Sequence, residues 1–222
     1  MILLALRFYA SGSFLITCGD FCGVSVATAS RIVKKVSEAI AGLSRKYIHM
    51  PCSEEAQDRT KREFYDIARF PRVIECIDCT HIRLQSPGGG DAEFFRNRKG
   101  YFSLNVQAIC NANLEFMDLV ARWPGSTHDS TIFNYSRVKS RLDSGEFKKS
   151  YILGDSGYAL SSYMLTPVSS PRTQAESLFN ESQIRTRNTI ERAFGVLKRR
   201  FPVLSMGIRL SLQTAISVVI AC

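Results

Sequence analysis

The sequence predicts a mixed α/β protein, a sheet flanked by helices and preceded by a short all-helical segment. Three observations predict it. Apolar residues recur at helical spacing from the start of the chain to about residue 48. From Arg72 the pattern changes to strand-like runs, two of them joined by Asn111-Ala112-Asn113, a hairpin signal. From Arg185 to Arg200 a strong helical stripe returns, with Ile190, Phe194, Leu197 and Phe201 on one face. A chain of 222 residues is long enough for one α/β domain plus a helical piece. Its hydrophobic share of 45% and charged share of 22% are those of a folding chain.

Residues 1–48 form the helical segment. Gly19 and Gly23 punctuate it, and Ser25 is a plausible cap for a helix over Ser25–Ile40. Val26, Ala29, Ile32, Val33, Val36 and Ile40 make one apolar stripe there, with Arg31, Lys34 and Lys35 off it. A short helix, a glycine turn and a second helix with basic residues outward resemble a helix-turn-helix, whose second helix enters the DNA major groove. The alternative is an amphipathic helix docked on the rest of the protein. Residues 49–71 read as a linker followed by a short helix around Glu54–Phe70.

Residues 72–222 form the larger domain. Val73–Leu84 reads as a strand, Ser86–Gly100 as a loop, and Phe102–Asn111 and Leu114–Arg122 as the hairpin. Ser130–Ser144 reads as one helix, Tyr151–Leu153 as a short strand and Ser161–Glu176 as irregular. The order strand, strand, strand, helix, strand, helix fits a ribonuclease-H-like arrangement. The chain opens inside an apolar helical pattern, and its apolar stretch Gln213–Cys222 ends abruptly, as a core helix cut short would.

The net charge of +9 favours an anionic partner, and nucleic acid is the commonest one. No run reaches the roughly 18 apolar residues that a membrane span needs. Of the seven cysteines, Cys76 and Cys79 form a C-x-x-C, but no second pair follows at zinc-ribbon spacing. They are expected as buried, reduced thiols.

Four carboxylates carry the chemistry. Asp78 lies on the first strand, inside the apolar run Ile74-Glu75-Cys76-Ile77-Asp78-Cys79, where an acid is costly without a partner. Asp129 starts the connecting helix, Asp155 ends the fourth strand between Gly154 and Gly157, and Glu191 sits on the last patterned helix. The flanking glycines are expected to let the backbone turn sharply. In this topology the fourth strand lies beside the first. Clustered carboxylates suit hard divalent ions such as Mg²⁺ or Mn²⁺, which activate a nucleophile and stabilise a leaving oxygen. His81 and His128 each adjoin a candidate acid.

The blocks Ile77-Asp78-Cys79-Thr80-His81, Trp123 to Asp129, Gly154-Asp155-Ser156-Gly157-Tyr158 and Ile190-Glu191-Arg192-Ala193-Phe194-Gly195 resemble, in order, those of the PIF/Harbinger transposase family. Asn97-Arg98-Lys99-Gly100 and the helical stretch from Leu6 to Ile40 are also similar. The resemblance implies a DDE-type metal-dependent DNA nuclease with Asp78, Asp155 and Glu191 catalytic and Asp78, Asp129, Asp155 and Glu191 as metal ligands. Topology favours Asp155 as the middle acid; Asp129 is an additional ligand, or the middle acid under a different alignment. Arg31, Lys34, Lys35, Arg98, Lys99, Arg187, Arg192 and Lys198 are the expected DNA contacts. The resemblance further implies a Myb-like DNA-binding partner protein and a nuclear, or nuclear and cytoplasmic, location. A domesticated DNA-binding or nuclear interaction protein without catalysis is the alternative. The chain departs from the family at Gln183, where a histidine is frequent.

Overall fold

The computed structural model describes residues 1–147 and 149–222. Four helices come first: α1 (Ile2–Ser11), α2 (Leu15–Cys22), α3 (Val26–Ala41) and α4 (Ser44–Tyr47), followed by α5 (Glu54–Ala68). Ser25 caps α3 as expected, its Oγ accepting the Thr28 N–H. Gly23 ends α2 with φ 65°. A Cβ at Gly19 would stand 2.6 Å from the Val24 carbonyl oxygen, so only glycine lets α2 fold back this closely on the turn before α3. Of the apolar stripe of α3, Ala29, Ile32, Val33 and Val36 are buried against α1, α2 and the C-terminal helix, Ile40 is half-buried and Val26 is exposed, as are Arg31, Lys34 and Lys35.

The sheet holds five strands in the order β3-β2-β1-β4-β5. They are β1 (Val73–Arg83), β2 (Ser103–Cys110), β3 (Phe116–Pro124), β4 (Tyr151–Leu153) and β5 (Met164–Leu165). The first three pair antiparallel, and β4 joins β1 in parallel, with Cys76 opposite Leu153. Asp78 thus lies two residues past the last β1–β4 pair, level with the chain that leaves β4. This is the neighbourhood that the sequence predicts for Asp155.

Three apolar clusters hold the layers. Val73, Cys76, Ala108 and Leu153 meet Phe64 of α5 and Ile190, Ala193 and Phe194 of α8 (Gln174–Arg200) on one face. Ile74, Ile77, Ile109 and Ile152 meet Phe133 of α6 (Asp129–Asn134) and Val138 and Leu142 of α7 (Arg137–Asp143) on the other. Each such fully buried aliphatic or aromatic side chain contributes roughly 1.5–3 kcal/mol. The third cluster joins α1–α3 to the far ends of β1–β3 and to α9 (Val203–Met206) and α10 (Leu212–Ala221). The N-terminal helices therefore share a core with the sheet.

The structure differs from the sequence reading in three elements, the first a short 3-10 helix, Ala92–Phe95, inside the expected loop. The helix expected over Ser130–Ser144 is two, α6 and α7. Ser136 breaks it by turning its Oγ to the Lys139 N–H as the cap of α7. The stretch expected to be irregular holds β5, which pairs parallel to β4, and the start of α8. Thr173 and Glu176 cap that helix reciprocally, so it runs 27 residues and begins at Gln174.

Candidate active site

Asp78 is at the centre of the sheet with its side chain 17% exposed. Its Oδ1 accepts the Cys79 N–H at 2.7 Å, and its Oδ2 accepts from Arg187 at 3.1 Å. Burial pushes its carboxyl up to about 6, and repulsion from Asp155 and Asp129 adds to this against the pull of that N–H and of Arg187. These three aspartates are therefore neighbours.

Asp155 leaves the end of β4 with its Oδ1 accepting the Gly157 N–H at 2.9 Å. Neither Gly154 nor Gly157 has a positive φ. The glycine before Asp155 is required by packing: a Cβ on Gly154 would stand 2.8 Å from the Tyr158 ring and 3.0 Å from the Met164 sulfur. The sharp turn expected from these glycines is thus a close approach of side chains.

Asp129 opens α6, and its Oδ1 accepts from Asn105 Nδ2 at 2.8 Å. Asn105 also donates to the Thr127 carbonyl at 2.8 Å, while its own Oδ1 is buried with no partner. Gly125 lies in the preceding loop, where a Cβ would collide with Ser103 and the Phe95 carbonyl oxygen. The loop consequently lies flat on β2 and delivers Asp129 to the same end of the sheet.

Glu191, on α8, is the fourth acid and is 52% exposed. Arg187 bridges it to Asp78, reaching Glu191 Oε1 at 2.6 Å. Among the described residues no three His, Cys, Asp or Glu side chains stand close enough to hold a metal ion. Asp129 and Asp155 line one cleft and their charges reach Asp78, and Glu191 is tied to Asp78 through a guanidinium.

A cleft of about 370 Å³ opens beside these acids, lined by Asp129, Asp155, His81, Asn97, Arg98, Lys99, Asn105 and His128, with the Gly125–Thr127 and Ser156-Gly157 loops. Arg98 contacts His128 Nδ1 at 2.7 Å, and Lys99 is exposed. His81 bonds Ser103 Oγ through Nδ1 at 3.1 Å, and burial holds it below the usual histidine range, so the ring is neutral at pH 7.

The expected DNA-contacting residues divide. Arg31, Lys34, Lys35, Arg98, Lys99 and Arg192 are exposed. Arg187 and Lys198, expected as DNA contacts, turn inward instead. Lys198 Nζ donates to Thr80 Oγ1 at 2.6 Å and to the His81 carbonyl at 3.2 Å. Their positions on α8 face β1, whose polar groups take them up.

Asn105 escaped sequence reasoning because an amide in an apolar strand carries no charge signal, and Gln183 was marked only as a departure from the family, with no role. Asn105 orients Asp129. Gln183, fully buried, donates from Nε2 to the Gly154 carbonyl at 2.8 Å and the Leu165 carbonyl at 3.2 Å, fastening α8 to the loop that carries Asp155. The cysteines are free, as expected; Cys18, Cys76 and Cys110 are buried, Cys79 and Cys222 half-buried, and Cys22 and Cys52 exposed against the expectation of burial.

An acidic cluster spread over β1, the end of β4 and the following helix, on a mixed sheet, defines a class. Residues 77–222 match the DDE superfamily endonucleases, and the chain belongs to that family. Along its whole length it is 37% identical to the protein named "Putative nuclease HARBI1" of Bos taurus and 35% identical to that of Homo sapiens, spanning 64% of the length of each. It is 26% identical to "Protein ALP1-like" of Arabidopsis thaliana over 92% of this chain and 53% of that protein. The kinship with Harbinger-derived nucleases read from the four blocks therefore holds. No solved structure matches the chain.

Proposed function

We propose that this chain is the catalytic part of a metal-dependent DNA endonuclease of the transposase type. The observation that carries the reading is Asp78: a desolvated carboxylate in the central strand, raised to about 6 by burial and by two neighbouring aspartates. Carboxylates gathered this way repel one another unless a cation offsets them, and an all-oxygen donor set suits Mg²⁺ or Mn²⁺. The donor chemistry thus suits the metal that the family implies, and the acids must draw closer together to hold it.

Asp78, Asp155 and Glu191 would hold it, and Asp129, oriented by Asn105, would be a fourth ligand. Bound there, a pair of divalent ions would lower the pKa of the attacking water and stabilise the leaving oxygen. His81, neutral and anchored through Nδ1, would orient the water or a phosphate with Nε2. Arg98, Lys99 and Arg192 would hold the DNA backbone without reading sequence. Arg31, Lys34 and Lys35, on the second helix of a helix-glycine turn-helix unit, would enter the major groove. A nuclear location and a Myb-like partner complete the proposal.

The test is nicking of supercoiled DNA by the purified chain in Mg²⁺ or Mn²⁺. Activity that Asp78→Ala and Glu191→Ala each reduce by at least about 100-fold is expected, since even residues that only support a metal ligand cost 10–100-fold. Undiminished nicking by both variants contradicts it. The salt link from Arg187 to Asp78 and Glu191 favours a second reading, a DNA-binding protein whose acids are permanently neutralised. DNA binding without any nicking would support that reading.

A further inference from the structure

Most basic residues of α8 are exposed, among them Arg185, Arg192, Arg199 and Arg200. Arg187 and Lys198 turn inward, and the Arg187 side chain is only 13% exposed. One Nη contacts Asp78 Oδ2 at 3.1 Å and the other contacts Glu191 Oε1 at 2.6 Å. Its buried Nε has no partner, so the fork is set to span the two acids and not to satisfy all of its own donors. The two carboxylates belong to different elements, β1 and α8, and one guanidinium joins them. Both are acids that the proposed function assigns to metal binding.

We infer that Arg187 is a resident cation that occupies the Asp78–Glu191 pair and competes with a divalent ion for it. The inference rests on the metal-dependent reading above. A carboxylate oxygen committed to a guanidinium offers fewer lone pairs to a metal, and a positive charge between the acids repels an incoming cation. Arg187 must therefore release at least one acid before Asp78 and Glu191 can bind an ion. Once released, the guanidinium is a fork suited to a phosphate, which gives Arg187 the DNA contact expected from its sequence position, but only after the acids have exchanged partners. Metal and DNA would then bind cooperatively.

An ordinary structural clamp between α8 and β1 has the same contacts but the opposite signature. Removing a clamp weakens the fold and leaves metal affinity unchanged or poorer. Removing a competitor improves metal affinity while the metal-free fold weakens.

The experiment is calorimetric titration of the full chain with Mn²⁺, without DNA, for the unaltered protein, Arg187→Gln and Arg187→Lys, with thermal melts in parallel. Arg187→Gln is expected to bind Mn²⁺ at least about 5-fold more tightly, the lower end of usual site-to-site coupling. Its metal-free melting temperature is expected to fall and its Mn²⁺-induced rise to exceed that of the unaltered protein. Arg187→Lys keeps the charge but cannot fork, and is expected to fall between the two. If Arg187→Gln does not fold, Arg187→Lys decides: tighter binding supports the inference. Equal or weaker Mn²⁺ binding by the folded variants, with clear binding by the unaltered protein, overturns the competition alone. No binding by any of the three overturns the metal-dependent reading as well.

Discussion

Asp78 shares its strand with Glu75, a second acid in the same apolar run. Glu75 is fully buried with neither carboxylate oxygen partnered, and burial pushes its carboxyl well above the usual range. The sequence argument, that an acid among apolar residues needs a partner, applies to both. The surroundings separate them: Asp78 has Asp155, Asp129 and Arg187 beside it, whereas Asp118 and Arg141 are the charges near Glu75. Motif order, not burial, made Asp78 legible, and no sequence feature revealed its tie to Arg187. A prediction follows from its carboxyl at about 6 against an ordinary 3.8. The folded state holds this proton more tightly than the unfolded one. Its contribution to stability is full below the ordinary value and is lost as pH rises through the folded value. A divalent ion can offset that loss only where Asp78 is ionised. The rise in melting temperature on adding Mn²⁺ should be present at about pH 7.5 and absent at about pH 5. A rise of equal size at both contradicts the assignment of Asp78 as a ligand.

At the scale of elements, α8 couples the acids. It carries Glu191, supplies Arg187 and, through Gln183, grips the loop after β4. The apolar stripe from Ile190 to Phe201 made its second half legible. Its first half has no such stripe, and the two-residue β5 is too short to show any period. The split of α6 from α7 was likewise hidden, because Ser136 as a cap looks like a tolerated helical serine until its neighbours bend away. Gln183→Ala leaves the buried Gly154 carbonyl without this donor, which costs about 1–3 kcal/mol, while the Leu165 carbonyl keeps the Gly154 N–H. A fall of about 2–4 °C in melting temperature for each kcal/mol is expected for a chain of this size. Nicking activity should fall with it as the Asp155 loop loosens. An unchanged melting curve would show that α8 does not hold that loop.

For the molecule as a whole, the charge excess and the helical start were legible early, and the structure adds how they combine. The apolar faces of α1–α3 are spent on the shared core with α10 and the sheet, leaving Arg31, Lys34 and Lys35 on an outer face. Replacing these three by glutamate should weaken binding of the full chain to duplex DNA and flatten its salt dependence, with little change in thermal stability, because all three are exposed. Unchanged affinity and salt slope would remove α3 from the DNA interface. The shared core was not legible in the sequence, since nothing in a periodic stripe says which neighbour will cover it. Among the described residues no helix is long and apolar enough to cross a membrane.

In the proposed function Asp78, Asp155 and Glu191 hold a divalent ion. Crystals of the full chain soaked in Mn²⁺ and measured for anomalous scattering test it most directly. A peak within about 2.0–2.6 Å of carboxylate oxygens of Asp78 and at least one of Asp155 and Glu191 is the predicted result, the range for hard-ion oxygen ligands. Well-ordered density for these side chains with no anomalous peak among them, at saturating Mn²⁺ and neutral pH, would contradict it.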